Sequence, residues 1–118
     1  MQNYKELKVW VKSHAFTLKV YELTKSFPRV EIYSLTNQIR RCSSSIPANI
    51  AEGSGKHSKL EFAHFLNTAL GSANESEYFL ILSKDLLYLN DEDYNFLYSL
   101  INEVKSMLIS LISKVRTT

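Results

Sequence analysis

The sequence is poor in residues that interrupt helices or cross-link a fold: its 118 residues include three glycines, two prolines and one cysteine. A single cysteine excludes an internal disulfide, so we expect a reducing, cytoplasmic location. No apolar run approaches the roughly 20 residues that cross a bilayer, and the charged start lacks the pattern of a secretory signal, so we expect no membrane partner. With 45% apolar residues, the chain predicts one helical domain with a hydrophobic core over residues 1–118.

The net charge of +2 is small, but the charges are unevenly distributed along the chain. Residues 1–60 hold ten Lys and Arg against four Asp and Glu, a net +6, whereas residues 61–118 hold four against eight, a net −4. This asymmetry fits a basic face for nucleic acid, a dipolar subunit that pairs head to tail, or acidic and basic helices that pack side by side.

Apolar periodicity predicts two helices in the first half of the chain. Helix one covers about Tyr4–Ser26 and ends there because the residue before a proline disfavours the helical region. After the connection Phe27–Tyr33, Ser34 is expected to cap helix two, which runs to about Gly53. Pro47 lacks a backbone donor, so it should kink or break helix two.

Two further helices follow in the second half. Residues 58–61, with the sequence Ser-Lys-Leu-Glu, have the capping-box form and begin helix three, which runs to about Leu89. Gly71 near its middle predicts a bend or a close helix contact. Asn90 caps helix four, whose first turn is acidic at 91–93. Short connections between amphipathic helices predict an all-α, up-down-up-down antiparallel four-helix bundle.

Helix one carries two apolar stripes, although a helix in a monomeric bundle needs only one. At 100° per residue, one stripe contains Leu7, Trp10, Val11, Leu18 and Tyr21, and the nearly opposite one contains Val9, Phe16, Val20 and Leu23. On helix two, the small residues Ser44, Ala48 and Ala51 leave room for another helix to approach. The second stripe therefore predicts a homo-oligomer.

A polar stripe runs beside the core stripe of helix two. Helical spacing places Gln38, Arg41, Ser45, Asn49 and Glu52 on one face. Buried amide, guanidinium and carboxylate groups need partners, so we predict a structural polar network, within or between bundles, that also includes Glu75. Arg41 could pair with Glu52 or Glu75, and Asn49 could bridge backbone groups of two helices.

Five basic residues are the candidate nucleic-acid contacts: Lys8, Lys12, Lys19, Arg40 and Lys56. The three lysines of helix one share one side, Arg40 projects away from the core stripe of helix two, and Lys56 flanks the next turn. Repetition around an oligomer would add phosphate contacts and release more counterions. The alternative is a solvated lysine face, and no motif indicates sequence-specific recognition.

We expect no catalytic or metal centre. Glu61-x-x-His64, with His57 on the same face, resembles half of a di-iron carboxylate site, but the sequence has no second Glu-x-x-His. Cys42 falls on the apolar stripe, where a thiol is usually inert packing. Residues 53–56 lack the spacing of a phosphate-binding loop. The sequence therefore predicts a protein that is not an enzyme and has no cofactor.

Several features occur in the order and spacing of a known family. In chain order they are Leu7-x-Val9-Trp10 with Tyr21, Phe27-Pro28-x-x-Glu31-x-Tyr33-x-Leu35, Arg40-Arg41, Ser45-Ile46, Asn49-Ile50-Ala51-Glu52-Gly53, Phe62, Phe65-Leu66, Ala69, Gly71-Ser72 and Glu75. Over roughly Leu7 to Leu89 the chain resembles the four-helix bundle proteins of the 23S rRNA intervening-sequence type. It departs from their pattern at Cys42 and Pro47.

The resemblance implies a bundle that assembles as a ring, most often a pentamer. Proteins of this type are encoded by open reading frames inside ribosomal RNA gene insertions, and others assist the reverse transcriptases of diversity-generating retroelements. The resemblance implies one of these two roles for the chain. We therefore expect a non-enzymatic homo-oligomer that binds structured RNA or DNA electrostatically or assists a nucleic-acid enzyme. The alternative is a protein-binding scaffold without affinity for nucleic acid.

Overall fold

The computed structural model describes residues 3–117 and contains four α-helices: α1, Lys8–Thr24; α2, Leu35–Ser54; α3, Lys59–Asp85; and α4, Asp91–Thr117. Short 3-10 turns at Tyr4–Glu6 and Arg29–Glu31 precede α1 and α2. Each helix packs on its neighbours in the chain, α4 packs back on α1, and no diagonal pair touches among the described residues. The predicted all-α four-helix bundle is confirmed, with dimensions of 45 × 24 × 20 Å.

The core is formed by one face of each helix. Its fully buried large side chains include Phe16 and Val20 of α1, Ile39, Ile46 and Ile50 of α2, Leu66 and Leu80 of α3, and Leu97, Ile101, Val104 and Leu108 of α4. By length and composition alone, α4 could cross a membrane, although the sequence analysis expected no such segment. A helix that lines a bundle core meets the same criterion, so this is weak evidence for a membrane span.

Two helix boundaries differ from the predictions. Leu7 is extended, with φ −75° and ψ 125°, so α1 begins at Lys8 and not near Tyr4. Helix α3 ends at Asp85 and not at Leu89, because Leu87 takes the left-handed conformation with φ 65°. The Tyr88 N–H then donates to the Ser83 carbonyl at 2.9 Å, which completes a Schellman motif. A leucine occupies the position where glycine is usual, so the sequence carries no stop signal there.

The helix caps are as predicted at two of three sites. The Ser58 Oγ accepts from the Glu61 N–H, and the Asn90 Oδ1 accepts from the Asp93 N–H. Ser34 makes no side-chain cap; its hydroxyl donates to Glu31 at 2.6 Å, and the same carboxylate accepts from the first amide of α2. The hydrogen bonds from Ser34 and from the Tyr88 hydroxyl lower the pKa of Glu31.

Pro47 does not break α2, which is continuous from Leu35 to Ser54. Because a proline has no N–H, the Ser43 carbonyl four residues earlier lacks its usual helical donor. The Thr17 Oγ1 of α1 lies 2.9 Å from this carbonyl oxygen and 3.0 Å from the Ser13 carbonyl oxygen of its own helix, so its one proton is shared between the two acceptors. Thr17 and Ser43 are both buried. Helix α1 thus supplies a hydrogen-bond donor in place of the backbone N–H that Pro47 lacks. This bond joins α1 to α2.

Thr17→Val tests this contact because it removes the hydroxyl with little change in shape. We expect a loss of about 1–3 kcal/mol in the free energy of unfolding, since a buried carbonyl is left without a donor. Thr68→Val is the control: Thr68 makes a local bond to the His64 carbonyl at an exposed position of α3. Denaturant unfolding measures both, and equal losses in the two variants would contradict the proposed role of Thr17.

Helices α2 and α3 come closest at Gly53. A Cβ on this residue would lie 2.7 Å from the Phe65 Cβ and 3.1 Å from the Phe62 Cδ1. The glycine therefore allows the end of α2 to press against the aromatic side chains at the start of α3. Gly71, predicted as a bend or a close contact, lies within a continuous α3, and a Cβ there would meet nothing within 4 Å.

The two glycines form a matched pair for alanine substitution. Gly53→Ala should be destabilising, because overpacking costs about 1–3 kcal/mol while the better helix propensity returns at most about 1 kcal/mol. Gly71→Ala should stabilise the protein by about 0.5–1 kcal/mol, since only the propensity changes. Thermal melting of both variants gives the signs; a stabilising Gly53→Ala would refute the tight contact.

Candidate nucleic-acid and subunit interfaces

The predicted basic residues of α1 are partly engaged inside the subunit. The Lys12 Nζ lies 3.2 Å from a carboxylate oxygen of Glu103 on α4. The Lys19 Nζ donates to Glu22 at 2.8 Å, and this hydrogen bond raises the pKa of Lys19. The Lys12–Glu103 pair therefore compensates part of the charge asymmetry between the two halves of the chain, whereas Lys19 pairs within its own helix.

The other predicted basic residues lie at opposite ends of the bundle. The Arg40 Nε donates to the Thr24 hydroxyl at 2.8 Å, and its guanidinium carbon lies 4.9 Å from the Tyr21 ring centroid, near the end of α1. Lys56 follows α2, with its Nζ 5.2 Å from the Phe65 ring centroid. Lys8 is exposed at the start of α1, which lies at the same end as Lys56. The five residues thus do not share one face.

A shallow apolar groove runs between α1 and α2, and we call it the α1–α2 groove. It is lined by Tyr4, Trp10, His14, Thr17, Leu18 and Tyr21 on one side and by Ser44, Pro47, Ala48 and Ala51 on the other. Leu18 is 58% exposed, and Trp10 stacks on His14 with 4.9 Å between ring centroids. Of the two predicted stripes of helix one, Val9, Phe16 and Val20 enter the core, while Val11, Leu18 and Tyr21 face outward.

The predicted polar network forms only in part. The Asn49 Nδ2 donates to the Ser45 carbonyl at 2.8 Å and to its hydroxyl at 2.9 Å, so it bonds within α2 and does not bridge two helices. The bridge comes from the Ser72 hydroxyl, which donates to the Ser45 hydroxyl at 2.9 Å. Gln38, Arg41, Glu52 and Glu75 are exposed. Over residues 3–117, Arg41 forms no ion pair with Glu52 or Glu75, and Glu52 instead lies 4.0 Å from Lys56.

The residues considered for metal binding and catalysis show no such centre. His57, Glu61 and His64 are exposed, and the described part of the chain contains no group of three or more His, Cys, Asp and Glu side chains that could hold a metal ion. Cys42 is buried beside the Ser76 hydroxyl, and burial raises the pKa of its thiol to about 11. Few Cys42 thiolates exist at neutral pH, which fits an inert packing residue.

Residues 5–110 match the family described as 23S rRNA-intervening sequence protein. The chain belongs to this family. A protein of unknown function from the S23 ribosomal protein family of Bacteroides thetaiotaomicron VPI-5482 is 34% identical to the chain in sequence. That similarity covers 88% of this chain and 97% of the solved protein, with a TM-score of 0.82. No curated protein matches the chain. The resemblance stated from the sequence is confirmed.

Two surface features of this 23S rRNA-intervening sequence family member were missed by the sequence analysis. Apolar side chains at Val30, Tyr33 and Leu87 are almost fully exposed in the two connections at one end of the bundle. At the other end, Arg116 of α4 borders Phe65 together with the predicted Lys56, whose neighbour Lys59 flanks the same turn. Both features combine segments that are distant in sequence, so no local pattern signals them.

The Asn49 amide can be tested against a matched residue. Asn49→Leu removes two hydrogen bonds beside the Ser45–Ser72 bridge and should lower the free energy of unfolding by about 1 kcal/mol. Asn67→Leu is the control, since the Asn67 amide makes the same kind of bond to a carbonyl four residues earlier at an exposed site. Unfolding curves that are equally displaced for both variants would argue against a special role of Asn49.

Proposed function

We propose that this protein forms a ring-shaped homo-oligomer, with a pentamer favoured, that binds structured RNA or DNA through phosphate contacts. It would act alone or as an accessory subunit of a nucleic-acid enzyme such as a reverse transcriptase, and would itself catalyse no reaction. The observation that carries the proposal is the exposed apolar α1–α2 groove. Family membership adds support, because the family description refers to an intervening sequence of 23S rRNA.

The α1–α2 groove has the shape and composition of a helix-docking site. Leu18 and Tyr21 present apolar surface at its edge, and Ser44, Ala48 and Ala51 let a second backbone approach closely. Contiguous exposed apolar surface of this kind marks interaction sites. We assign it to a second copy of the chain. A contact between this groove and a different surface of the next subunit would be heterologous. Heterologous contacts form a ring when the rotation from one subunit to the next closes, which is the arrangement that we propose.

The exposed polar stripe of α2 is a candidate for the opposite side of that contact. Gln38 and Arg41 of this stripe, and Glu75 of the neighbouring α3, have hydrogen-bonding groups that are exposed in the single subunit. Such groups fix register and orientation more than they add affinity. The polar network predicted from the sequence would then be completed between subunits.

Nucleic-acid binding would be electrostatic and would gain from assembly. Each subunit contributes a small number of phosphate contacts, and a ring repeats them with a high effective concentration. The scaffold alternative is favoured by the internal pairs of Lys12 with Glu103 and of Lys19 with Glu22, which reduce the charge that α1 offers to a ligand.

Leu18→Glu tests the subunit contact. It should weaken self-association more than tenfold, because the interface would bury an unpaired carboxylate. Ile109→Glu on α4 is the control, as Ile109 is 57% exposed, nearly the same fraction as Leu18, and lies outside the groove. Solution mass is measured for each protein. A wild-type monomer, or equal assembly of both variants, would refute the proposed interface.

The same mass measurement with and without total RNA, followed by a salt titration, tests the ligand. A steep fall of affinity with salt is expected for phosphate contacts. No binding at low salt would favour the scaffold alternative.

A further inference from the structure

One end of the bundle collects basic side chains from three separate segments. Because the helices alternate in direction, α1 and α3 begin at this end and α2 and α4 finish there. We call it the basic end and define it by its six Lys and Arg residues. They are Lys5 before α1, Lys8 at the start of α1, Lys56 after α2, Lys59 at the start of α3, and Lys114 and Arg116 in the last turn of α4.

Two hollows and one ring contact bring four of these residues together in two pairs. Lys8 and Lys114 line the same hollow between the start of α1 and the end of α4. Arg116 lines a second hollow with His64 and Phe65 of α3. The Lys56 Nζ lies 5.2 Å from the ring centroid of the same Phe65, so Lys56 and Arg116 both border this aromatic side chain.

The acidic residues at the basic end do not cancel its charge. They are Glu6, Glu52 and Glu61, against six Lys and Arg. Glu52 lies 4.0 Å from Lys56, and Glu61 closes the helix cap with the Ser58 hydroxyl at 3.3 Å.

The opposite end has no positive excess: Lys19, Lys25, Arg29, Arg40 and Lys84 lie there with Glu22, Glu31, Asp85, Asp91, Glu92 and Asp93. The excess positive charge of the described residues is therefore localised at the basic end.

Helix stability does not explain why a lysine occupies position 59. It is the first residue of α3, where the helix dipole is positive and a carboxylate, not an ammonium, is favoured. An exposed ammonium group at this position adds to the positive end of the α3 dipole, a combination that favours an anion from outside the subunit.

We propose that the basic end is the surface that holds the phosphate backbone, with Lys8, Lys56, Lys59 and Arg116 as the principal contacts. The inference rests on the proposed function. It replaces phosphate contacts distributed over the subunit by one site at the basic end. Of the residues predicted from the sequence, Lys12 and Lys19 contribute less, because Glu103 at 3.2 Å and Glu22 at 2.8 Å pair with them more closely than Glu52 does with Lys56 at 4.0 Å. Arg40 contributes little because it lies at the opposite end of the bundle, beside Thr24. The cross-section of 24 × 20 Å spans about seven base steps of a duplex, enough for several simultaneous contacts.

The test compares the double variant Lys59→Gln/Arg116→Gln with Lys25→Gln/Arg29→Gln. Both lose two exposed positive charges per subunit, one pair at the basic end and the other at the opposite end. Binding to a short mixed-sequence DNA duplex is followed by fluorescence anisotropy over a range of salt concentrations. Thermal melting and solution mass show that both variants remain folded and assembled.

For each subunit that contacts the duplex, the basic-end variant should lose about 60-fold in affinity near 0.1 M salt and about 2 in salt slope, because each lost phosphate contact removes a slope of about 0.9. Its melting temperature should be nearly unchanged, since Lys59 is unfavourable at the start of α3 and Arg116 is favourable at the end of α4, and the two losses offset each other. If the wild type binds but both variants weaken equally, this inference is wrong while the proposed function stands. If the wild type does not bind at low salt, both are wrong.

Discussion

The structure depends on α2, whose backbone is in direct contact with both neighbouring helices. On one side, Pro47 leaves the Ser43 carbonyl without a helical donor, and the Thr17 hydroxyl of α1 takes that place. On the other side, Gly53 removes the side chain that would separate α2 from Phe62 and Phe65 of α3. A hydroxyl-to-carbonyl bond and a backbone-to-ring contact each tolerate little displacement. The positions of α1 and of the start of α3 relative to α2 are therefore tightly constrained.

Both candidate interfaces follow from this constraint. The bond to Thr17 holds α1 so that Leu18 and Tyr21 stand beside the small residues of α2 and form the α1–α2 groove. The contact at Gly53 brings Phe65 under the ammonium group of Lys56 and beside Arg116. A change at either contact would move a surface as well as weaken the core. Stability and binding should therefore be measured together in any variant of α2.

The sequence predicted the fold class because apolar periodicity, caps and connection lengths are local properties. It was wrong where local signals are missing: Leu87 takes a glycine-like conformation, and the Glu31 carboxylate replaces the expected Ser34 cap. The polar stripe of α2 was placed correctly, but its partners were not, because Ser72 comes from another helix. The basic end could not be predicted from spacing, since Lys8, Lys59 and Arg116 meet only when the helices alternate in direction.

The groove and the basic end also constrain each other. The α1–α2 groove runs along the helix axes, from Tyr21 near one end of α1 to Tyr4 and Ala51 near the basic end. In a closed cyclic ring, every subunit has the same orientation relative to the symmetry axis. Assembly through this groove would therefore turn all basic ends toward the same side of the ring. A modest charge on one subunit would become a multivalent surface for a polyanion, which a purely protein-binding scaffold would not require.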